Sequence, residues 1–140
     1  MKSKWLFILA TFIGILSLIG CSTTLNPVTV EVSCPQFINN RHITKVIEVQ
    51  AGDSFMISLC SNATTGFTWS EDAEVDRTLV EQIDHEFIPP GSTVVGAAGR
   101  EVWTLRSLKT GKTTLFLEYR QAWAGGMKEE WTFTLMVIIK

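Results

Sequence analysis

The chain carries two histidines, His42 and His85, and three cysteines, Cys21, Cys34 and Cys60. A thiol activated by an imidazole is a nucleophile, and the same groups in a cluster would hold a metal ion. The one nucleophilic pairing open to this chain is Cys34 or Cys60 with His85. Both cysteines stand in strand-like runs, however, and His85 reads as a plain strand residue. No His/Cys group has metal-site spacing, and no glycine-rich turn opens a helix as a phosphate cradle requires. The chain is therefore not expected to be an enzyme or to hold a metal or other cofactor. Once Cys21 is set apart for the reason given below, Cys34 and Cys60 form an even pair facing an oxidising compartment. They are expected to bond, the alternative being two buried free thiols. Closing that loop of roughly 25 residues would add on the order of 3 kcal/mol.

Recognition through a shaped backbone has a clearer signature. The run Ser61-Asn62-Ala63-Thr64-Thr65-Gly66-Phe67-Thr68-Trp69 sets small and polar residues and a glycine between two apolar strand-like runs. Gly66 permits a positive φ, and Asn62, Thr64 and Thr65 can bond nearby backbone and hold a turn. Two further glycine-bearing loops follow, Val94-Val95-Gly96-Ala97-Ala98-Gly99-Arg100 and Gln121-Ala122-Trp123-Ala124-Gly125-Gly126. Trp123 has two readings. It is a lid packed on Phe67 or Trp103, or it is an exposed anchor of the kind that dominates interface energy.

The elements that must position these loops are strands. Val28 to Val32 alternates, and Thr44 to Val49 does so less cleanly. Ala51-Gly52-Asp53 is a turn, after which Phe55, Ile57 and Leu59 share one face. A short strand covers Phe67 to Trp69. Leu79 to Ile88 is stopped by Pro89-Pro90-Gly91 and reads as strand rather than helix. Gly91 to Gly99 is a long loop, Glu101 to Leu108 a strand, and Lys109-Thr110-Gly111-Lys112 a hairpin turn. Thr113 to Arg120 and Trp131 to Ile139 alternate with period two. Seven or eight short strands without a long helix predict an all-β sandwich, with a closed barrel as the alternative. If the strands are lettered B to G from Asp53, the three loops join B to C, D to E and F to G. In an immunoglobulin-like sandwich, loops of that parity emerge at one end.

Residues 62–69 closely resemble the Asn-Pro-Thr-Thr-Gly-Phe-x-Trp loop of chagasin-like inhibitors of papain-type cysteine peptidases. Asn62, Thr64, Thr65, Gly66, Phe67 and Trp69 match that pattern, and Ala63 stands where the family has proline. Gly96-Ala97-Ala98-Gly99 is similar to the family's Gly-x-Gly-Gly loop with one glycine replaced by alanine. Gln121-Ala122-Trp123 resembles its Arg-Pro-Trp, with only Trp123 identical and Arg120 one position earlier. The resemblance runs from about Asp53 to the C-terminus and implies an immunoglobulin-like sandwich that blocks a peptidase reversibly with three loops. It implies that Asn62 to Phe67 enter the catalytic cleft, with Thr64 and Thr65 nearest the catalytic cysteine. Gly96 to Gly99 and Arg120 to Trp123 would grip either side. The missing prolines at Ala63 and Ala122 would each cost about 0.4–1 kcal/mol of preorganisation.

The N-terminus reads as an export signal. Lys2 and Lys4 precede an almost unbroken apolar run from Trp5 to Ile19, shorter than the roughly 20 residues that span a bilayer. Leu18-Ile19-Gly20-Cys21 looks like a bacterial lipobox, with the lipid on Cys21. The expected organisation is a signal peptide over 1–20, a lipidated tether over 21–27 and one domain over 28–140, exported and lipid-anchored to the cell envelope outside the cytoplasm. Without Lys2 and Lys4 the chain has 10 basic and 14 acidic residues, which excludes the concentrated basic patch that nucleic acid needs. The expected partners are a papain-like cysteine peptidase and, through Cys21, a membrane; the domain is expected to be a monomer. The alternative is a lipid-anchored surface or adhesion module on the same fold, since fold does not fix function.

Overall fold

The structure, a computed structural model, describes residues 27–140. The expected signal segment 1–20, Cys21 and the tether up to residue 26 lie outside the described residues. Among these described residues, eight strands make two four-stranded sheets. One contains β1 (Val28–Val32), β3 (Ser54–Ser61), β5 (Val80–Ile88) and β6 (Gly99–Ser107), in the order β1-β3-β6-β5. The other contains β2 (His42–Val49), β4 (Thr68–Trp69), β7 (Gly111–Arg120) and β8 (Trp131–Ile139), in the order β2-β8-β7-β4. The fold is thus the all-β sandwich that the alternating runs predict, and not a closed barrel.

Period-two alternation builds the core directly. Leu115 and Leu117 of β7 and Phe133, Leu135 and Val137 of β8 turn to the inside. They meet Phe55, Ile57 and Leu59 of β3 and Trp103 and Leu105 of β6, and all of these are fully buried. Each contributes roughly 1.5–3 kcal/mol by leaving water.

Helix α1 (Cys34–Asn39) carries the chain from the first sheet to the second. Its start has a local cause: the Gln36 carboxamide oxygen accepts from the Ser33 N–H at 2.8 Å and from the Ser33 hydroxyl at 3.0 Å, and Pro35 lies in the first turn. One connection departs from expectation. Lys109 to Lys112 is not a hairpin, because β6 pairs with β3 and β5 whereas β7 pairs with β8 and β4. The chain crosses between the sheets there. A tight glycine turn looks the same in sequence whether the strands it joins are paired or face each other.

The turns at that end are stitched together by backbone. Gly52 N–H donates to the Ser107 carbonyl and Ser107 N–H to the Asp53 carbonyl, each at 2.9 Å. The fully buried Ser107 hydroxyl lies 2.6 Å from the Gln50 carbonyl and 3.0 Å from that of Asp53.

Candidate functional site

Strand direction decides where the loops go. β1, β3, β5 and β7 all run toward the end at which β2, β4, β6 and β8 begin. The connections 33–41, 62–67, 89–98 and 121–130 therefore share that end, and contacts between them bear this out. Asn62 Nδ2 donates to the Gly96 carbonyl at 3.1 Å, tying the first loop to the second. A Cβ on Gly66 would lie 3.0 Å from Cη2 of Trp123, so the first loop also touches the third.

The first loop is held by its own polar residues. Ala63–Thr65 form one 3₁₀ turn, closed by Gly66 in the left-handed region at φ 77°. Asn62 Oδ1 accepts from Thr64 N–H at 3.2 Å and from the Thr64 hydroxyl at 2.6 Å. The Thr65 hydroxyl donates to the Asn62 carbonyl at 2.7 Å. Asn62 N–H donates to the Tyr119 phenol at 3.1 Å, which fixes the loop to β7. Ala63, Thr64, Thr65 and Gly66 form the exposed crest. Phe67 is half-buried, its ring 5.6 Å from that of Tyr119, and so anchors the crest from below.

Beneath the loops lies an aromatic floor. Tyr119 stacks on Trp131 with centroids 4.8 Å apart and lies 5.1 Å from Trp69. Phe37 of α1 stacks on Trp131 at 5.1 Å. A buried polar cluster sits beside it. Glu101 accepts from the Ser61 hydroxyl at 2.7 Å and from Trp69 N–H at 3.4 Å, and its other oxygen lies 2.9 Å from His85 Nε2. His85 also stacks on Trp103. Cys34 and Cys60 are bonded to each other, so neither is a free thiol for a dyad with His85.

The second loop divides by role. Gly96, at φ 84°, has open space around it and keeps its backbone accessible. Gly99 does not, for a Cβ there would lie 2.4 Å from the Ile88 carbonyl; the chain itself needs this glycine so that β6 can start beside β5. Ala97 and Ala98 are half-buried, and Ala98 packs against the core.

The third loop is clamped at its neck. Gln121 N–H donates to the Met127 carbonyl at 2.8 Å, and Gln121 Oε1 accepts from Met127 N–H at 2.9 Å. Gln121 is therefore turned inward on its own loop. Arg120, the last residue of β7, reaches Glu118 at 3.5 Å, and Glu118 also accepts from Glu129 N–H. Ala122 is exposed, and Trp123 is 53% exposed with its ring edge over Gly66.

Four exposed apolar side chains at this end stand outside the residues expected to bind: Val94, Val95, Met127 and Ile38. Val95, at 98% exposure, is the extreme case. For the valines the sequence does hold a signal: two adjacent β-branched residues between Pro89-Pro90-Gly91 and Gly96 have no strand to carry them into a core. The surface as a whole is uncharged at its tips, since 62–67, 91–99 and 121–127 contain no Asp, Glu, Lys or Arg. It offers apolar side chains, hydroxyls and backbone, which suits a partner that is bound by shape and burial rather than by charge.

The model of the chagasin family peptidase inhibitors, I42, matches residues 48–137. Chagasin from Trypanosoma cruzi is 27% identical over 101 residues, covering 70% of this chain and 92% of chagasin. Among solved structures, the cysteine protease inhibitor EhICP2 from Entamoeba histolytica superposes with a TM-score of 0.59 at 24% identity, over 83% of this chain and 99% of that one. PbICP-C, solved in complex with falcipain-2, gives a TM-score of 0.51 at 12% identity, over 81% of this chain and 98% of that one. At these identities the two structural likenesses speak for the fold.

Proposed function

Because this chain belongs to the chagasin family of peptidase inhibitors, we propose that it blocks papain-like cysteine peptidases by filling their active-site cleft with its three loops. The observation that carries the reading is the joined, uncharged crest in which Asn62 reaches Gly96 and Gly66 reaches Trp123. The crest Ala63–Gly66 enters the cleft against the catalytic cysteine. Trp123 lies on one wall, and Gly96 with the neighbouring valines on the other.

Binding is reversible, since the crest carries no group that reacts with a thiolate. The first loop resists cleavage because it is a 3₁₀ turn closed by a left-handed glycine. A scissile peptide must lie extended across the nucleophile, and this backbone does not. Most of the loops' ordering entropy is already lost in the free protein, through the bonds of Asn62, Thr65 and Gln121. PbICP-C, which shares the fold, forms a complex with falcipain-2. The adhesion alternative has no comparable support.

Titration of papain with the protein tests the proposal. Stoichiometric loss of activity at sub-micromolar concentration is expected, with full recovery on dilution. Undiminished activity of papain and of a cathepsin L-type enzyme at micromolar protein would falsify it. For location, we propose export and lipidation at Cys21, with the domain outside the cytoplasm, on the strength of the apolar run and Leu18-Ile19-Gly20-Cys21. Labelling of the chain with a fatty-acid precursor that is lost in Cys21→Ser tests the anchor.

A further inference from the structure

Four connections share the loop end, and the three-loop reading uses only three. The fourth is the segment that holds α1, which precedes the family match at residue 48. Two ties fix it in place. The Cys34–Cys60 disulfide bonds its first residue to β3, one position before Ser61. Phe37, fully buried, stacks on Trp131 and lies 5.2 Å from Trp69. Adjacent residues on a helix point about 100° apart, so locking Phe37 inward sets the direction of Ile38. Ile38 is 72% exposed on this fixed support.

Ile38 does not stand alone, as scattered surface apolar residues often do. It forms one wall of a hollow of about 330 Å³ between α1 and the first loop. Thr65 and Phe67 form the opposite wall, and Asn62, Ala98, Tyr119, Glu130, Trp131 and the disulfide complete the lining. The hollow is therefore continuous with the crest: Thr65 faces the cleft on one side and this space on the other. We infer that α1 is a fourth contact element, and that the hollow beside Ile38 receives an apolar side chain from the rim of the peptidase's cleft.

This rests on the cleft-filling reading above. The hollow has room for one large side chain, and its lining is mostly apolar, with the Glu130 carboxylate already paired to Arg41 at 3.3 Å. Its walls are preorganised by a covalent bond and stacked rings, which is what an anchor pocket at an interface requires.

The test uses the full chain with papain, comparing wild type, Ile38→Asp, Trp123→Ala and Ile83→Asp. Ile83 is an exposed isoleucine on β5 and controls for the added charge. Ile38→Asp is expected to raise Ki at least tenfold, mainly through faster dissociation, with an unchanged melting temperature. Ile83→Asp is expected to stay within twofold of wild type. In hydrogen exchange, the amides of Phe37 to Asn40 are expected to gain protection in the complex. If wild type inhibits and Trp123→Ala weakens it, but Ile38→Asp matches wild type, the three-loop reading stands and the fourth contact is overturned. If wild type does not inhibit, both fall together. A change confined to the self-association of free protein would assign the hollow to a second copy and equally overturn the inference.

Discussion

The two ends of this sandwich solve opposite problems. At the far end the turns 50–53 and 107–110 close on each other by backbone bonds, with the Ser107 hydroxyl buried between the Gln50 and Asp53 carbonyls. There the backbones of the two turns answer each other, and that mutual closure holds the end. At the loop end Asn62 and Gln121 are also answered from within, but large apolar side chains there stand more exposed than Leu108, at 43%, in the far turns. Trp123, Val95 and Ile38 stay in water. The difference shows how a binding surface is made rigid without being made self-sufficient. Hydrogen bonds and a disulfide fix the backbone, and the burial that would complete the energetics is left for a partner.

That contrast predicts which changes should hit folding and which should hit binding. The largest effect is expected from the covalent tie. Replacing both Cys34 and Cys60 by serine frees a loop closed over a sequence separation of 26 and should lower unfolding free energy by about 3 kcal/mol. Denaturant titration of the double variant measures it. A loss below about 1 kcal/mol would mean that stacking alone holds α1 at the loop end.

Trp123→Ala comes next and should divide the two properties cleanly. Loss of a half-exposed interface tryptophan is expected to cost about 2 kcal/mol of binding, roughly 30-fold in Ki. The melting temperature should barely move, because the covered half of Trp123 lies on the loops at Gly66 and Gly126 and not in the core. If this variant unfolds, Trp123 belongs to the floor of the molecule and the contrast between the ends fails there.

Ser107→Ala is the mirror experiment at the far end. It removes the buried hydroxyl that donates to the Gln50 carbonyl, while both carbonyls keep a backbone donor. It should lower stability by about 0.5–1.5 kcal/mol, while Ki stays within twofold of wild type. A rise in Ki comparable to that of Trp123→Ala would show that the two ends are coupled through the sheets.

Much of this division is legible in the sequence because strands and core follow one rule. Alternation at Leu115, Leu117 and Tyr119, or at Phe133, Leu135 and Val137, states both the strand and its buried face. The first loop is legible for a different reason: Asn62, Thr65 and Gly66 make local bonds and a local φ, so nearby residues suffice to specify it. What is not legible depends on distant partners. Gly99 looks like a binding glycine until the Ile88 carbonyl is found against it. Gln121 looks like a lost arginine contact until its amide is seen holding Met127. Lys109 to Lys112 looks like a hairpin because sheet membership is not written in a turn. Helix α1 is too short for a periodic signal, and its place comes from a disulfide and from Phe37 packing on residues more than 30 positions away.

The smallest expected effect concerns the residue at which the first loop departs from the family pattern. Judged from the sequence, Ala63 should weaken preorganisation, because proline would fix one φ. The geometry gives a different expectation. Ala63 opens the 3₁₀ turn, where a backbone N–H has no partner within the turn and proline is tolerated. Asn62, at φ −122° and ψ 92°, is extended and lies outside the α region that a following proline disfavours. Ala63→Pro should therefore be accepted and should raise unfolding free energy by about 0.4–1 kcal/mol through the unfolded chain. Ki, by contrast, should move less than twofold, since Asn62, Thr65 and Tyr119 already hold the turn in the free protein. Calorimetry and inhibition measured on the same variant separate the two outcomes. A fivefold fall in Ki would mean that the crest is loose before it binds, and that the loop end is less rigid than its hydrogen bonds imply.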